Sequence, residues 1–213
     1  MSPPYSIFLV GMMGAGKSTV GVRLARRLDR AFIDADRELE ERLGVSVPTI
    51  FEVEGEAGFR RRESQLLDEL TTRSGLVLAT GGGAVLSALN RQMLHSRGRV
   101  IYLQASASDL WQRLRRDRNR PLLRTANPRE RIQKLTQDRE PLYQEVAHHI
   151  VTTSRQPIDQ IVDAIVALLD QHAAPASAGS SAQTAGQAMP PAPPTPPAMA
   201  AAPAPGTAAS PSP

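Results

Sequence analysis

The chain has 213 residues, of which 41% are hydrophobic and 22% are charged, so it can form one α/β domain with a sizeable core. It contains no cysteine, which excludes disulfide bonds, thiolate catalysis and cysteine-ligated zinc. The net charge of +4 suits an anionic ligand as well as a nucleic acid, so charge alone does not choose between them.

The first residues, MSPPYSIFLVG, have no basic region and only a short apolar run, unlike a secretory signal. No run approaches the roughly 20 apolar residues of a membrane span. We therefore expect a cytoplasmic protein that does not enter a membrane.

Five short apolar runs punctuate residues 1–172, with helical patterns between them. Each run is bounded by Gly, Asp, Ser or Thr, which is typical of buried parallel strands. The runs are Ser6–Val10, Ala31–Ile33, Leu76–Ala79, Val100–Leu103 and His149–Val151. Their alternation with helices predicts an α/β fold with helices on both faces of a five-stranded parallel sheet, and ligands at the carboxyl ends of the strands.

A phosphate-binding loop follows the first run. Residues 11–18, GMMGAGKS, match the pattern G-x-x-x-x-G-K-[ST], with a strand before them and a helical pattern after them. Backbone N–H groups would cradle the phosphates of a nucleotide, Lys17 would bridge the β- and γ-phosphates, and Ser18 would bind Mg²⁺. The alternative is a glycine-rich turn with a chance lysine, which the strand and helix context disfavours.

Two carboxylates follow the second run, in the sequence FIDAD. The second strand is predicted to end in this segment, and residues two apart on a strand share a face, so Asp34 and Asp36 point the same way, where Mg²⁺ and a substrate hydroxyl would relieve their repulsion. Asp36 could instead cap the helix that begins after it. The phosphate loop one βα unit upstream favours the functional interpretation.

Two further segments are weak evidence by themselves. Arginines occur at 60–62, where they could bind a carboxylate or lie on a solvated helix face. The third strand runs into Gly81, Gly82 and Gly83, which could allow a ligand close to bare backbone or form a simple turn.

The last 41 residues, 173–213, differ sharply in composition from the rest. They carry no charged residue and hold 11 of the 18 prolines, from Pro175 to Pro213. Such a segment cannot bury enough apolar surface to offset its ordering entropy, so we predict a disordered tail after a domain spanning 1–172. A docking site for a proline-reading module is the alternative.

The chain resembles the shikimate kinases over about residues 5 to 170. The resemblance lies in six segments at compatible spacings: GMMGAGKST at 11–19, FIDAD at 32–36, EGEAGFRRRE at 54–63, GGG at 81–83, RPLL at 120–123 and REPLY at 139–143. It implies a three-layer P-loop NTPase fold of the nucleoside monophosphate kinase type. It also implies transfer of the γ-phosphoryl group of ATP to the 3-hydroxyl of shikimate, a step towards chorismate and the aromatic amino acids.

The resemblance also implies roles for individual residues. One Mg²⁺ ion would be bound by Ser18 and Asp34, and Asp36 would bind the acceptor hydroxyl and take its proton. Three residues, Lys17, Asp36 and Arg120, would be catalytic, with Arg120 on a mobile lid over ATP. The ATP phosphates would be held by Gly14, Ala15, Gly16, Lys17, Ser18 and Thr19. Shikimate would be bound by Asp36, Arg60, Gly82 and Arg139, with Arg60 and Arg139 on its carboxylate, and the adenine would lie near Arg113 and Gln156.

Other functions remain open on the sequence. The chain could phosphorylate another small acceptor, such as gluconate or a nucleoside monophosphate, or it could be a non-catalytic module that senses ATP or shikimate. The arginine-rich stretch 113–120 could bind a nucleic acid, although no interleaved aromatic residues support base stacking. We expect a monomer whose partners are ATP and shikimate, with no nucleic acid partner.

Overall fold

Five short strands form one parallel sheet in the computed structural model, which describes residues 5–115, 121–123, 125–154 and 156–171. The strands are β1 (Ser6–Val10), β2 (Ala31–Asp34), β3 (Leu76–Ala79), β4 (Gly98–Gln104) and β5 (His149–Thr152). Their order across the sheet is β2-β3-β1-β4-β5, and every neighbouring pair is parallel. The predicted five-stranded parallel sheet is confirmed.

Seven helices in the described part of the chain connect and cover these strands. They are α1 (Lys17–Arg27), α2 (Ala35–Leu43), α3 (Val47–Thr71), α4 (Ala88–Arg97), α5 (Ala107–Leu114), α6 (Pro128–Val146) and α7 (Ile158–Gln171), with short 3-10 turns at Ala84–Leu86 and Pro121–Leu123. Helix α1 packs against α7, whereas α4 packs against α3 and α6, so the sheet lies between two helical layers. None of the described helices is both long and apolar enough to cross a bilayer.

Side-chain caps set where several helices begin. Ser46, Ser87, Ser106 and Asn127 each accept a hydrogen bond from a first-turn amide, at the starts of α3, α4, α5 and α6. Helix α3 is interrupted at Gly55, whose φ of 69° and ψ of 177° are accessible to glycine and strained for other residues. The sequence therefore specifies these helix boundaries locally, before any tertiary contact is made.

The sheet order places the functional loops. All five residues of β1 are buried, and β1 lies between β3 and β4. Because the strands are parallel, the loops that follow β1, β2 and β3 emerge at the same edge, and the reversal of strand order at β1 opens a crevice there. The segment 173–213, predicted to be a disordered tail, lies outside the described residues, so its boundary at 172 stays a prediction.

Candidate active site

The loop between β1 and α1 is shaped for phosphate. Gly14 and Gly16 have φ of 78° and 100°, conformations that favour glycine, and they turn the backbone around the loop. Gly16 caps α1 without a side-chain hydrogen bond, so the first amides of the helix remain available to an anion. Lys17 is buried, and its Nζ donates to the carbonyl oxygens of Gly11 at 2.8 Å and Met12 at 3.1 Å. The loop thus presents amide donors and one ammonium group to a polyphosphate.

Ser18 and Asp34 form an oxygen pair beside this loop. The Ser18 hydroxyl donates to Oδ2 of Asp34 at 2.5 Å. Oδ1 of Asp34 accepts from the backbone amides of Asp36 at 3.1 Å and Arg37 at 3.4 Å, so Asp34 is the N-cap of α2. Magnesium prefers a few hard oxygen ligands together with phosphate and water, and this hydroxyl–carboxylate pair fits that preference.

The geometry of the two aspartates corrects a sequence-based expectation. The strand β2 ends at Asp34, and Asp36 lies in the first turn of α2, so the two residues do not share a strand face. The alternative, that Asp36 caps the helix, is also wrong, because Asp34 does so. A capping carboxylate can end a strand and start a helix at the same residue. The alternation of residues along a strand gives no sign of such a cap, so the pattern alone overextends the strand. Both aspartates nevertheless line one cavity.

That cavity has a volume of about 910 Å³ and extends along the phosphate loop from Asp36 to Gln156. Its lining includes these predicted site residues: Gly14, Ala15, Gly16, Lys17, Ser18, Thr19, Asp34, Asp36, Gly82, Arg113 and Gln156. Arg60 and Arg139 are not part of the lining, and they meet the site through the glycines described next. The structure therefore brings Lys17 and Asp36 to the same cavity.

Four groups converge on the triple glycine at 81–83, which we call the glycine hub. A Cβ on Gly81 would overlap Oε1 of Glu63 and lie 3.0 Å from Oδ1 of Asp36. A Cβ on Gly82 would lie 3.2 Å from the backbone nitrogen of Met13 in the phosphate loop. A Cβ on Gly83 would overlap the guanidinium of Arg60. The sequence led us to expect a ligand close to the glycine backbone. In this structure, the groups that lie close to it are side chains and backbone of the protein itself.

Arg60 is held by a buried carboxylate that the sequence interpretation did not single out. Its Nη1 donates to Oε2 of Glu63 at 2.6 Å, and its Nη2 donates to Glu56 at 3.2 Å. Glu63 is 2% exposed. Burial raises the pKa of the Glu63 carboxyl, the Arg60 cation opposes that shift, and the neighbouring Asp36 adds to it. The i,i+3 spacing of Arg60 and Glu63 on a helix was the signal that could have revealed the pair.

Arg139 is a buried cation with a neutral partner. It is 3% exposed, and its Nη1 donates to the carbonyl oxygen of Gly82 at 3.0 Å. No carboxylate among the described residues lies within ion-pair distance of it. The Arg139 cation acts at longer range on the Glu63 carboxyl, whose burial-raised pKa it helps to lower, and a buried guanidinium without a directly paired anion favours an anionic ligand at this place. Tyr143, one helical turn further along α6, donates to the same carbonyl at 2.5 Å.

An arginine bridges two backbone carbonyls at the end of the cavity that Gln156 lines. Nη1 of Arg113 donates to the carbonyl of Gly14 at 3.0 Å, and Nη2 donates to the carbonyl of Thr153 at 2.7 Å. The bridge ties the phosphate loop to the segment between β5 and α7, where Gln156 is exposed. Arg120, predicted to be the lid arginine, lies outside the described residues, as does most of the arginine-rich stretch that could bind a nucleic acid.

Comparisons with known proteins agree on one family. A family model described as "Shikimate kinase" matches residues 13–170. A shikimate kinase of Aromatoleum aromaticum is 62% identical over 149 residues, which are 70% of this chain and 85% of that enzyme.

Solved structures agree with these matches. The structure of the Acinetobacter baumannii shikimate kinase in complex with shikimate superposes with a TM-score of 0.78 at 47% identity, over 80% of this chain and 96% of that one. A deoxyadenosine kinase from M. mycoides with bound dATP, at 13% identity and a TM-score of 0.53 over 78% of this chain and 99% of that one, shares the fold alone.

Proposed function

The chain belongs to the shikimate kinase family, and we propose that its cavity between the phosphate loop and the glycine hub is where ATP phosphorylates shikimate. The γ-phosphoryl group would pass to the 3-hydroxyl, giving shikimate 3-phosphate and ADP. The observation that carries this proposal is the convergence of Lys17 and Asp36 on one cavity, with the buried cation Arg139 behind its glycine wall.

The acceptor is recognised through its acid group. Arg139 is buried and donates through Nη1 to the carbonyl of Gly82, and its planar guanidinium carries further N–H donors that could bind a carboxylate. Arg60 approaches the other side of the hub, at Gly83, and Glu63 fixes the direction of its guanidinium. Two guanidinium groups can hold one carboxylate in a fixed orientation, which a point charge could not do.

Asp36 receives the proton of the acceptor hydroxyl. It lies at the hub beside Gly81 and lines the cavity that also holds Lys17. Phosphoryl transfer needs an oriented nucleophile and little covalent help from the protein, so a carboxylate that aligns the hydroxyl and accepts its proton suffices. Asp36 is half-buried, which limits the access of bulk water to its carboxylate.

The donor side neutralises charge. The amides of the phosphate loop would hold the β- and γ-phosphates, and Lys17 would leave its carbonyl partners to meet the developing charge. Ser18 and Asp34 would hold one Mg²⁺, which supplies charge neutralisation between the phosphates. Arg113 and Gln156 would border the adenine, and Arg120 would close over ATP.

We also propose that the enzyme acts as a cytoplasmic monomer, with 1–172 as its kinase domain and 173–213 as a disordered tail. A monomer suffices for the proposed site, because its described residues either line one cavity or contact the triple glycine beside it within a single chain. Light scattering behind size-exclusion chromatography would test it, and a dimer at working concentration would contradict it.

ADP formation with and without shikimate, at fixed Mg-ATP, tests the proposed function. We expect shikimate to stimulate ADP release strongly, and gluconate and nucleoside monophosphates to do so far less. Arg139→Ala should raise the KM for shikimate strongly and leave the KM for ATP nearly unchanged. Binding of both ligands without turnover would instead support a sensing module, and equal loss for both substrates would contradict the role of Arg139.

A further inference from the structure

The carbonyl oxygen of Gly82 receives two hydrogen bonds from one face of α6. The Tyr143 hydroxyl donates at 2.5 Å and the Arg139 guanidinium donates at 3.0 Å. The two donors are four residues apart and therefore lie on the same side of the helix. Tyr143 and Arg139 lie 61 and 57 positions after Gly82 in the sequence, so these hydrogen bonds join the glycine hub to a distant helix.

Tyr143 is rigidly placed and remains a donor. Its side chain is fully buried, and its ring stacks on Tyr102 of β4 with centroids 5.0 Å apart and planes 20° apart. Burial raises the pKa of the Tyr143 hydroxyl far above its usual range, which outweighs the nearby Arg139 cation. The hydroxyl therefore carries its proton at any pH at which the enzyme works.

The direction of the Gly82 carbonyl determines the direction of a neighbouring amide. In a planar trans peptide the C=O of Gly82 and the N–H of Gly83 point to opposite sides. Glycines restrain their own backbone weakly, and none of the three hub amides donates a hydrogen bond to another described residue. The amide of Ala84 donates to the carbonyl of Gly81 at 3.2 Å and closes a turn around this peptide, and the two donors of α6 add a restraint on its carbonyl from outside the turn.

We propose that Tyr143 is a positioning residue for the acceptor, holding the Gly82 carbonyl so that the glycine hub and Arg139 meet the acceptor together. Its side chain is fully buried and does not line the cavity, so it would act on the acceptor only through the glycine hub. One hydrogen bond orients the hub amides, and by sharing the carbonyl with Arg139 it also keeps that guanidinium at the hub. The inference rests on the acceptor site proposed above.

Tyr143→Phe tests the inference, because it removes the hydroxyl and keeps the buried ring. The KM for shikimate should rise about tenfold, the effect of losing roughly 1.4 kcal/mol, while the KM for ATP stays within about twofold. Tyr102→Phe is the matched control. This substitution removes the hydroxyl of the ring that stacks on Tyr143, and that hydroxyl makes no hydrogen bond to the glycine hub. Both KM values should therefore stay unchanged.

A second readout needs no substrate. In the ligand-free enzyme, the carbonyl carbon resonance of Gly82 and the amide nitrogen resonance of Gly83 should shift in Tyr143→Phe, because the carbonyl loses one of its two donors, and should stay as in wild type in Tyr102→Phe. Unchanged resonances and an unchanged KM for shikimate would overturn the inference, and so would equal rises in both KM values. If Arg139→Ala also left the KM for shikimate unchanged, the proposed acceptor site itself would be wrong. If Arg139→Ala raised that KM and Tyr143→Phe did not, only the positioning role of Tyr143 would be rejected.

Discussion

Gly83 offers a way to displace the Arg60 guanidinium without changing Arg60. Its φ of −107° and ψ of 3° are open to alanine, so Gly83→Ala adds a methyl group without backbone strain. That methyl would overlap three atoms of the Arg60 guanidinium, which is the far end of a flexible side chain. We therefore expect the fold to survive and the guanidinium to move.

The size of the effect follows from the overlap. To restore an ordinary contact of 3.4 Å or more, the guanidinium must retreat by more than about 1 Å. A displacement of that size breaks a charge-assisted hydrogen bond to the acceptor carboxylate, worth about 1.5–3 kcal/mol. The KM for shikimate should rise about 10- to 100-fold, and the KM for ATP should change less than about twofold.

Steady-state kinetics in a double-mutant cycle give the decisive comparison. Gly83→Ala, Arg60→Ala and the double variant are assayed by coupled ADP release, with melting temperatures measured in parallel. Once Arg60 is truncated, the methyl group at position 83 has nothing to displace, so it should add less than about twofold. Full additivity of the two effects would refute the reasoning, because it would mean that Gly83→Ala acts on something other than Arg60.

Three further changes test other parts of the site and the fold. Asp36→Asn should lower kcat by about 10²-fold or more, and near-normal turnover of a folded variant would exclude Asp36 from the proton transfer. Arg113→Ala, which removes two hydrogen bonds to backbone carbonyls, should raise the KM for ATP several-fold and spare shikimate, as measured by varying each substrate. Hydrogen bonds from Arg42 and then Arg73 lower the pKa of Glu69 from 4.5 to about 2. The stabilisation is therefore present above the unfolded-state pKa, so Glu69→Gln should melt earlier at neutral pH, and the difference should close as pH falls from about 4.5 to about 2. A pH-independent difference would mean that the ion pairs do not cause it.

The strands were predictable because their signals are local. Each of the five apolar runs became a strand, and the runs at Ser6–Val10 and Leu76–Ala79 have the same bounds in the structure. The strand β4 begins two residues before the predicted Val100, at Gly98, which pairs with Ser6. It continues to Gln104, which pairs with Thr152. Polar residues at the ends of a strand do not lengthen its apolar run, but their backbones still form ladder hydrogen bonds. A prediction based on apolar runs therefore makes such strands too short.

The sequence named residues that the structure brings to the triple glycine, but it did not predict how they contact one another. The segments that resemble the family named Asp36, Arg60, Gly82 and Arg139, and the structure brings them to one hub, although their roles stay predictions. The shared-face argument for the two aspartates failed, since a helix cap interrupts the strand there. Glu63 was quoted only as part of a segment, because nothing in the sequence says that it would be buried.

What the sequence determined by itself is whatever depends on neighbours along the chain: the phosphate loop, the alternation of strands and helices, and most helix starts. Only the tertiary structure decided that Tyr143 and Arg139 meet the carbonyl of Gly82, across 61 and 57 positions. Periodicity and capping act over a few residues, whereas such a meeting depends on strand order and on how α6 packs against β4. Side-chain packing between distant elements sets that geometry, and no short pattern in the sequence records it.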